Sequence, residues 1–306
     1  MKTNAIIRIV LFSLALLILL SILGSALLAH NFFMDVRESG ITEVLKEVLT
    51  VDDSANVLID GKGLSGEYDA NQIRDIKIEW VSGNILIQPG NTDVILFEES
   101  AVSDSDYQMI VRRNGDKLTL KFCEENVFHW GIDINSNINK DLVITVPHNW
   151  SGDSFEIDTA SALVEISNLQ INELDFDGAS GKLILSNCII DDLDIDTASG
   201  DVEFSGVLKD LDFDSASAKF VGEFRQIPNR LNLDAMSGDM KITLPENSGF
   251  EVEHDTMSGN FQCDFPFTSN GKQYLCGNGI CKIKFNSMSG DIKILKGTSD
   301  PKNCNH

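Results

Sequence analysis

A four-residue pattern ending in serine returns along the second half of the chain. It reads Asp-x-Ala-Ser at Asp158–Ser161, Asp177–Ser180, Asp196–Ser199 and Asp214–Ser217, then Asp-x-Met-Ser at Asp234–Ser237 and Asp255–Ser258, and Asn-x-Met-Ser at Asn286–Ser289. A degenerate copy stands at Glu79–Ser82. The serines Ser161, Ser180, Ser199, Ser217, Ser237, Ser258 and Ser289 follow one another at steps of 19, 19, 18, 20, 21 and 31 residues, so only the last step holds an insertion. Six residues before the serine every copy is apolar (Ile76, Phe155, Leu174, Leu193, Leu211, Leu231, Val252, Ile283), and so is the residue three after it (Ile85, Val164, Leu183, Val202, Phe220, Met240, Phe261, Ile292). Two short strands meeting at a tight corner, one face buried and one wet, satisfy this pattern. A unit so short cannot bury its apolar face alone, so neighbouring units must stack on a shared core. The predicted fold is all-β, a β-solenoid-like stack of coils of about 19 residues, about 4.8 Å apart. The glycine after most serines (Gly83, Gly181, Gly200, Gly238, Gly259, Gly290) suits a corner with positive φ, Ala162 and Ala218 excepted.

Upstream, alternating segments predict strands at Ile76–Trp80, Asn84–Gln88, Asp93–Phe97, Tyr107–Val111, Lys117–Phe122 and Leu142–Val146, with a hairpin turn at Asn114-Gly115-Asp116. Residues 30–72 read as a stalk. They contain Gly61-Lys62-Gly63-Leu64-Ser65-Gly66, which matches the dinucleotide-binding glycine pattern, but the next periodic segment alternates like a strand where that mechanism needs a helix.

Ile9–Ala29 is a run of 21 uncharged, mostly aliphatic residues, enough as a helix to span about 30 Å of hydrocarbon. Lys2 and Arg8 precede it and no acid does, which predicts a cytoplasmic tail at 1–8, a transmembrane helix at 9–29, and the rest of the chain outside the cytoplasm. A cleaved signal peptide, with small residues at Gly24-Ser25-Ala26, is the competing reading. The 306-residue chain carries 47 acids against 24 Lys plus Arg, and all 47 acids follow the anchor. Such a charge excludes a nucleic-acid binder, which concentrates cations to meet phosphates.

The opening Ile-x-Ile-x-Trp-x-Ser-Gly at Ile76–Gly83, the Leu-x-Ile-x-Val-Pro step at Leu142–Pro147 and the Ser-Gly-Asp repeats resemble the DUF4097 family of bacterial candidate adhesins, also called toastrack domains. The resemblance covers about Ile73–Leu295 and leaves a polar tail at 296–306. It implies a solenoid-like exported domain, often encoded beside envelope-stress or transcriptional-regulator genes, with no established catalysis and no catalytic residues to transfer.

Three residues before the serines stand Asp158, Asp177, Asp196, Asp214, Asp234 and Asp255, and five before them Glu156, Asp175, Asp194 and Asp212. The first column suits corner caps, as Asp side chains do in turns, or a low-affinity Ca²⁺ column, although the glycine-rich repeat of calcium β-rolls is missing. A carboxylate pair for glycosidic cleavage would break the repeat, and no odd pair stands out. The repeat does break at one coil, with His254 and Cys263 at apolar positions and Cys276 and Cys281 in the insertion. These four offer a zinc set, a disulfide from Cys276 to Cys263 or Cys281, or plain packing. The change from Ala160, Ala179, Ala198 and Ala216 to Met236, Met257 and Met288 reads as a core that widens. No cofactor is expected and no nucleophile motif is present. The expected function is a non-catalytic, envelope-facing binding or sensing module, held to the bilayer by residues 9–29 and partnered by an envelope protein or polymer. Self-association through open solenoid ends is the alternative, and a polysaccharide-acting enzyme comes third.

Overall fold

The computed structural model describes residues 56–60, 63–100, 107–123, 139–150 and 152–297. The apolar run at 9–29, Trp130 and Cys304 lie outside them. All described residues belong to one compact unit, Asp52–His306. Among them the chain is strand throughout, with one 3₁₀ turn at Ala70–Gln72.

The first seven strands are β1 (Asn56–Asp60), β2 (Gly63–Asp69), β3 (Asp75–Gly90), β4 (Val94–Glu99), β5 (Ile110–Asn114), β6 (Lys117–Lys121) and β7 (Leu142–Pro147). The regular coils follow as β8 (Ser154–Ser167), β9 (Gln170–Gly178), β10 (Lys182–Thr197), β11 (Asp201–Ser217), β12 (Phe220–Phe224), β13 (Arg230–Ser237) and β14 (Met240–Leu244). The last six are β15 (Phe250–Ser258), β16 (Phe261–Cys263), β17 (Thr268–Asn270), β18 (Gln273–Cys276), β19 (Cys281–Ser289) and β20 (Ile292–Lys296).

Each coil pairs in parallel with the next, position for position: Leu174 beside Leu193, Leu193 beside Leu211, Leu211 beside Leu231. Of the two apolar columns every member is buried except Phe261, which is half-buried. The core is therefore the one the spacing predicts. Five of the six strand expectations and the hairpin at Gly115 also hold, with β5 and β6 antiparallel around that glycine, while the strand expected at Tyr107–Val111 starts later, at Ile110.

Sequence order is not spatial order at either end. Coil β3 lies between β6 with β7 on one side and β8 on the other. Likewise β19 and β20 lie between β13 with β14 and β15 with β16. The long last step explains this: residues 264–280 leave coil β15–β16, lay the antiparallel hairpin β17–β18 along the outer edge of β15, and return one layer further in. At the other end β4 and β5 pair antiparallel with β7 and β6, while β2 and β1 extend that sheet. At the N-terminal end antiparallel strands cover both β6 and β7, and at the C-terminal end β18 covers β15 while β16 pairs only with β20, so most backbone groups that a terminal coil would leave unpaired are occupied. Strands β1 and β2 fall in the segment read as a stalk. They form a hairpin, so the glycine pattern around Gly63 leads into a strand.

The corner has its own chemistry. The Ser180 hydroxyl donates to the Ala160 carbonyl at 3.1 Å and the Ser199 hydroxyl to Ala179 at 3.3 Å, tying each coil to its neighbour where the ladder bends. The corner N–H groups of Ala162 and Gly200 donate to Thr159 and Thr197, at 3.0 and 2.8 Å. In these two coils the cap is the residue two before the serine. In others it is the aspartate two after it, which accepts from the next corner, as Asp201 does from the Lys219 N–H and Asp239 from the Asp291 N–H, both at 3.0 Å, whereas the aspartate three before the serine points outward. Of the six corner glycines only Gly83, Gly181 and Gly238 have positive φ. At Gly238 φ is 141° and a Cβ would lie 1.8 Å from the Ala218 carbonyl oxygen, whereas at Gly290 only the close approach, 2.1 Å to Gly238 O, demands glycine. The residue just before the serine faces out, so Met236 and Met257 are exposed and do not fill a widening core.

Sequence inspection also missed a buried ion pair near the N-terminal end. Lys140 Nζ lies 2.6 Å from Glu99, donates to the carbonyls of Tyr107 and Phe122, and sits over the Trp80 ring. Both charged side chains are fully buried. Removing one partner, as in Lys140→Met, should cost about 3–5 kcal/mol in chemical denaturation, with much of it recovered in a double variant that adds Glu99→Leu. Gly238→Ala should lower the thermal midpoint by about 5–10 °C, since strain and overlap coincide there; Gly115→Ala, with positive φ and nothing nearby, should cost about a third of that.

Candidate functional site

Positions seven, five and three before the serine all face outward from the first strand of each coil. In three successive coils every one is acidic: Glu173, Asp175 and Asp177, then Asp192, Asp194 and Asp196, then Asp210, Asp212 and Asp214. The parallel register sets Glu173 beside Asp192 and Asp210, Asp175 beside Asp194 and Asp212, and Asp177 beside Asp196 and Asp214. Nine carboxylates thus occupy a flat sheet area about 10 Å across the strands and about 14 Å along them.

Burial against the sheet comes first, and like-charged neighbours second, in pushing the Asp177 and Asp214 carboxyls up to about 6. Asp175, Asp194 and Asp196 are displaced upward too, mainly by burial. The flanks differ. On the N-terminal side Lys77 pairs with Glu156 and, at 3.0 Å, with Asp158, while Lys117 reaches Glu156 at 2.7 Å. Those lysines, Lys117 first, hold the Glu156 carboxyl below the usual carboxylate range. On the C-terminal side Arg230 meets Asp212 at 3.0 Å and Asp210 at 3.4 Å, and Asn232 donates to Asp212 at 2.6 Å. The central coils are left as a patch of concentrated negative field.

The six aspartates of the predicted column do not form one ladder. Asp158, Asp177, Asp196, Asp214 and Asp234 are neighbours in that order, but Asn286 stands between Asp234 and Asp255 because β19 lies between β13 and β15. The Asn286 amide donates to Asp234, and Lys272 pairs with Asp255. Among the described residues no group of three or more His, Cys, Asp or Glu side chains is arranged to hold a metal ion. Ser82 lies beside Ser161 and Ser217 beside Ser237, but Ser289 lies between Ser237 and Ser258 and not after them. The column formed by Glu173, Asp192 and Asp210 escaped notice, although it stands two residues before the acids already aligned.

The irregular coil packs as core. His254 is buried and stacks on Phe285 at 5.5 Å, and burial pulls its pKa down. Cys276 and Cys281 face Phe250 from opposite edges of β15, two strand spacings or about 9.6 Å apart, which is too far for a disulfide. No disulfide links Cys263, Cys276 or Cys281, and burial pushes the Cys281 thiol up to about 12. Trp80 and Trp150 are buried, each donating its indole N–H to a carbonyl.

The family model for Toastrack DUF4097 matches twice, over residues 73–217 and 152–295. No curated protein matches. Similar solved structures include a candidate adhesin from Bacteroides fragilis, with 14% identity, a TM-score of 0.45, and 76% of this chain and 96% of that one covered. Another is a candidate cell adhesion protein from Clostridium sporogenes, at 12% identity and TM-score 0.37, covering 76% and 98%. A third is a candidate lipid-binding protein from Parabacteroides distasonis, at 12% and 0.35, covering 78% and 98%.

A carboxyl whose folded pKa is raised binds its proton more tightly when folded, so its cost to stability is absent below about pH 4 and complete above about pH 6. Asp177→Asn should therefore raise the thermal midpoint by about 1–3 °C near neutral pH, and the gain should vanish near pH 4 in melts followed by circular dichroism.

Proposed function

The chain belongs to the Toastrack DUF4097 family, and on that premise we propose that it is a membrane-anchored, non-catalytic binding module displayed outside the cytoplasm. The anchor is the apolar run at 9–29 and the orientation follows from Lys2 and Arg8. The observation that carries the binding role is the nine-carboxylate sheet face. Like charges held side by side oppose folding, and a face kept at that cost fits a cationic envelope partner, a protein surface or a polymer, better than it fits a purely structural stack. Among the described residues no group of three or more His, Cys, Asp or Glu side chains on it is arranged to hold a metal ion. A second reading, self-association, draws support from the outer surface of the end hairpin, where Phe267 and Leu275 are 43% and 45% exposed.

Two measurements on the full chain test this. In intact cells whose outer layers have been removed, added protease should digest the domain while the chain stays in the membrane fraction; protection from protease would overturn the topology. A lysine decapeptide should bind the purified chain with an affinity that falls at least tenfold between about 50 and 250 mM salt. The variant Asp177→Asn, Asp194→Asn, Asp196→Asn should lose about tenfold at low salt, and unchanged binding would remove this face as the partner surface.

A further inference from the structure

Met236, Met288 and Met257 stand side by side on the outside of the corner, a neighbourhood the sequence order hides. The pairs Ala235–Ser287 and Ser237–Ser289 bracket Met236 and Met288 on adjoining strands, and Thr256–Ser287 and Ser258–Ser289 bracket Met257 and Met288 on the other side. Met288 therefore sits in the middle because β19 is laid between β13 and β15. Met257 is 53% and Met236 39% exposed, and Met288 is half-buried. The corner itself requires no long side chain, since the same position in four other coils is Ala160, Ala179, Ala198 and Ala216, all exposed.

The common property of the three methionines is soft-donor chemistry. Backbones about 4.8 Å apart carry unbranched side chains with three rotatable bonds each, so the three sulfurs can converge on one ion with Met288 central. Thioethers favour Cu(I)-class ions over the hard cations Ca²⁺ and Mg²⁺. The same corner carries Asp234 on one side, with Asp255 there paired to Lys272, and Asp239 and Asp291 on the other, a net negative field that raises the local concentration of cations. We propose that Met236, Met288 and Met257 form a surface site for a soft monovalent cation of the Cu(I) and Ag(I) class, held by three thioether sulfurs.

The chain has six cysteines, which also take soft ions, so total uptake is not the readout. Full chain labelled with ¹³C at the methionine methyls is titrated with Ag(I), and with Cu(I) under anaerobic conditions. Of the seven methionines, the signals of Met236, Met257 and Met288 should move together and saturate at one ion per chain, while the buried Met109 and Met240 stay in place. The triple variant Met236→Leu, Met257→Leu, Met288→Leu keeps the shape without sulfur. It should melt within about 2 °C of the parent, since surface substitutions change stability little, and take up one ion fewer in competition with a chromophoric chelator. Methyl signals that stay in place at threefold excess, that move with three separate midpoints, or a leucine variant with undiminished uptake would each overturn the site.

Discussion

Everything in this domain depends on a parallel ladder in which each residue lies beside its counterpart in the next coil. Inside, that arrangement is favourable without further adjustment: an apolar column packs on itself, and rings of neighbouring layers meet, as Phe204 and Phe224 do at 5.2 Å and Phe213 and Phe220 at 5.5 Å. Outside, the same register multiplies whatever it is given. An aspartate repeated from coil to coil becomes a row of like charges at about 4.8 Å. Where Lys77, Lys117 and Arg230 interrupt the row the charges are compensated, and where they do not the carboxyls are pushed toward holding protons.

The fold class, the strands, the buried columns and the corner were legible because each depends on local spacing. A period of about 19 residues with apolar residues six before and three after the serine leaves few other ways to hide them. The order of the layers was not legible. Nothing in the spacing of Cys281–Ser289 distinguishes a coil added at the end from one inserted a layer earlier, since both offer the same apolar face. Only the long step before it, with its room for a covering hairpin, marked that the chain would depart from simple succession. The Met stripe and the break in the aspartate column both follow from that insertion, and both stayed hidden with it.

Other misses have different causes. The aspartates three before the serine are not the corner caps: Thr159 and Thr197, one residue later, face inward and take two of the corner N–H groups, and Asp201, Asp239 and Asp291, two residues after their serines, take others. Lys140 and Glu99 are far apart in sequence, and a charged residue is ordinarily assigned to the surface. Their pairing is a tertiary fact: burial lowers the Lys140 pKa, and the carboxylate with two carbonyls offsets part of that penalty. The half-buried Phe261 was aligned correctly, but its coil proved to be the outermost, where one side of the column has only the hairpin to lean on.

The inserted C-terminal coil bears on how the molecule is made and unmade. In a plain solenoid the last coil is a removable outer layer, and the array can grow or fray one unit at a time. Here β19 and β20 act as a wedge driven between layers whose residues have already been synthesised. A chain delivered from its N-terminus holds an open slot until its final strands arrive, so the stack closes in one late step. Peeling from the C-terminus has to begin with an interior piece, which binds the outer coil, the hairpin and the wedge into one cooperative block.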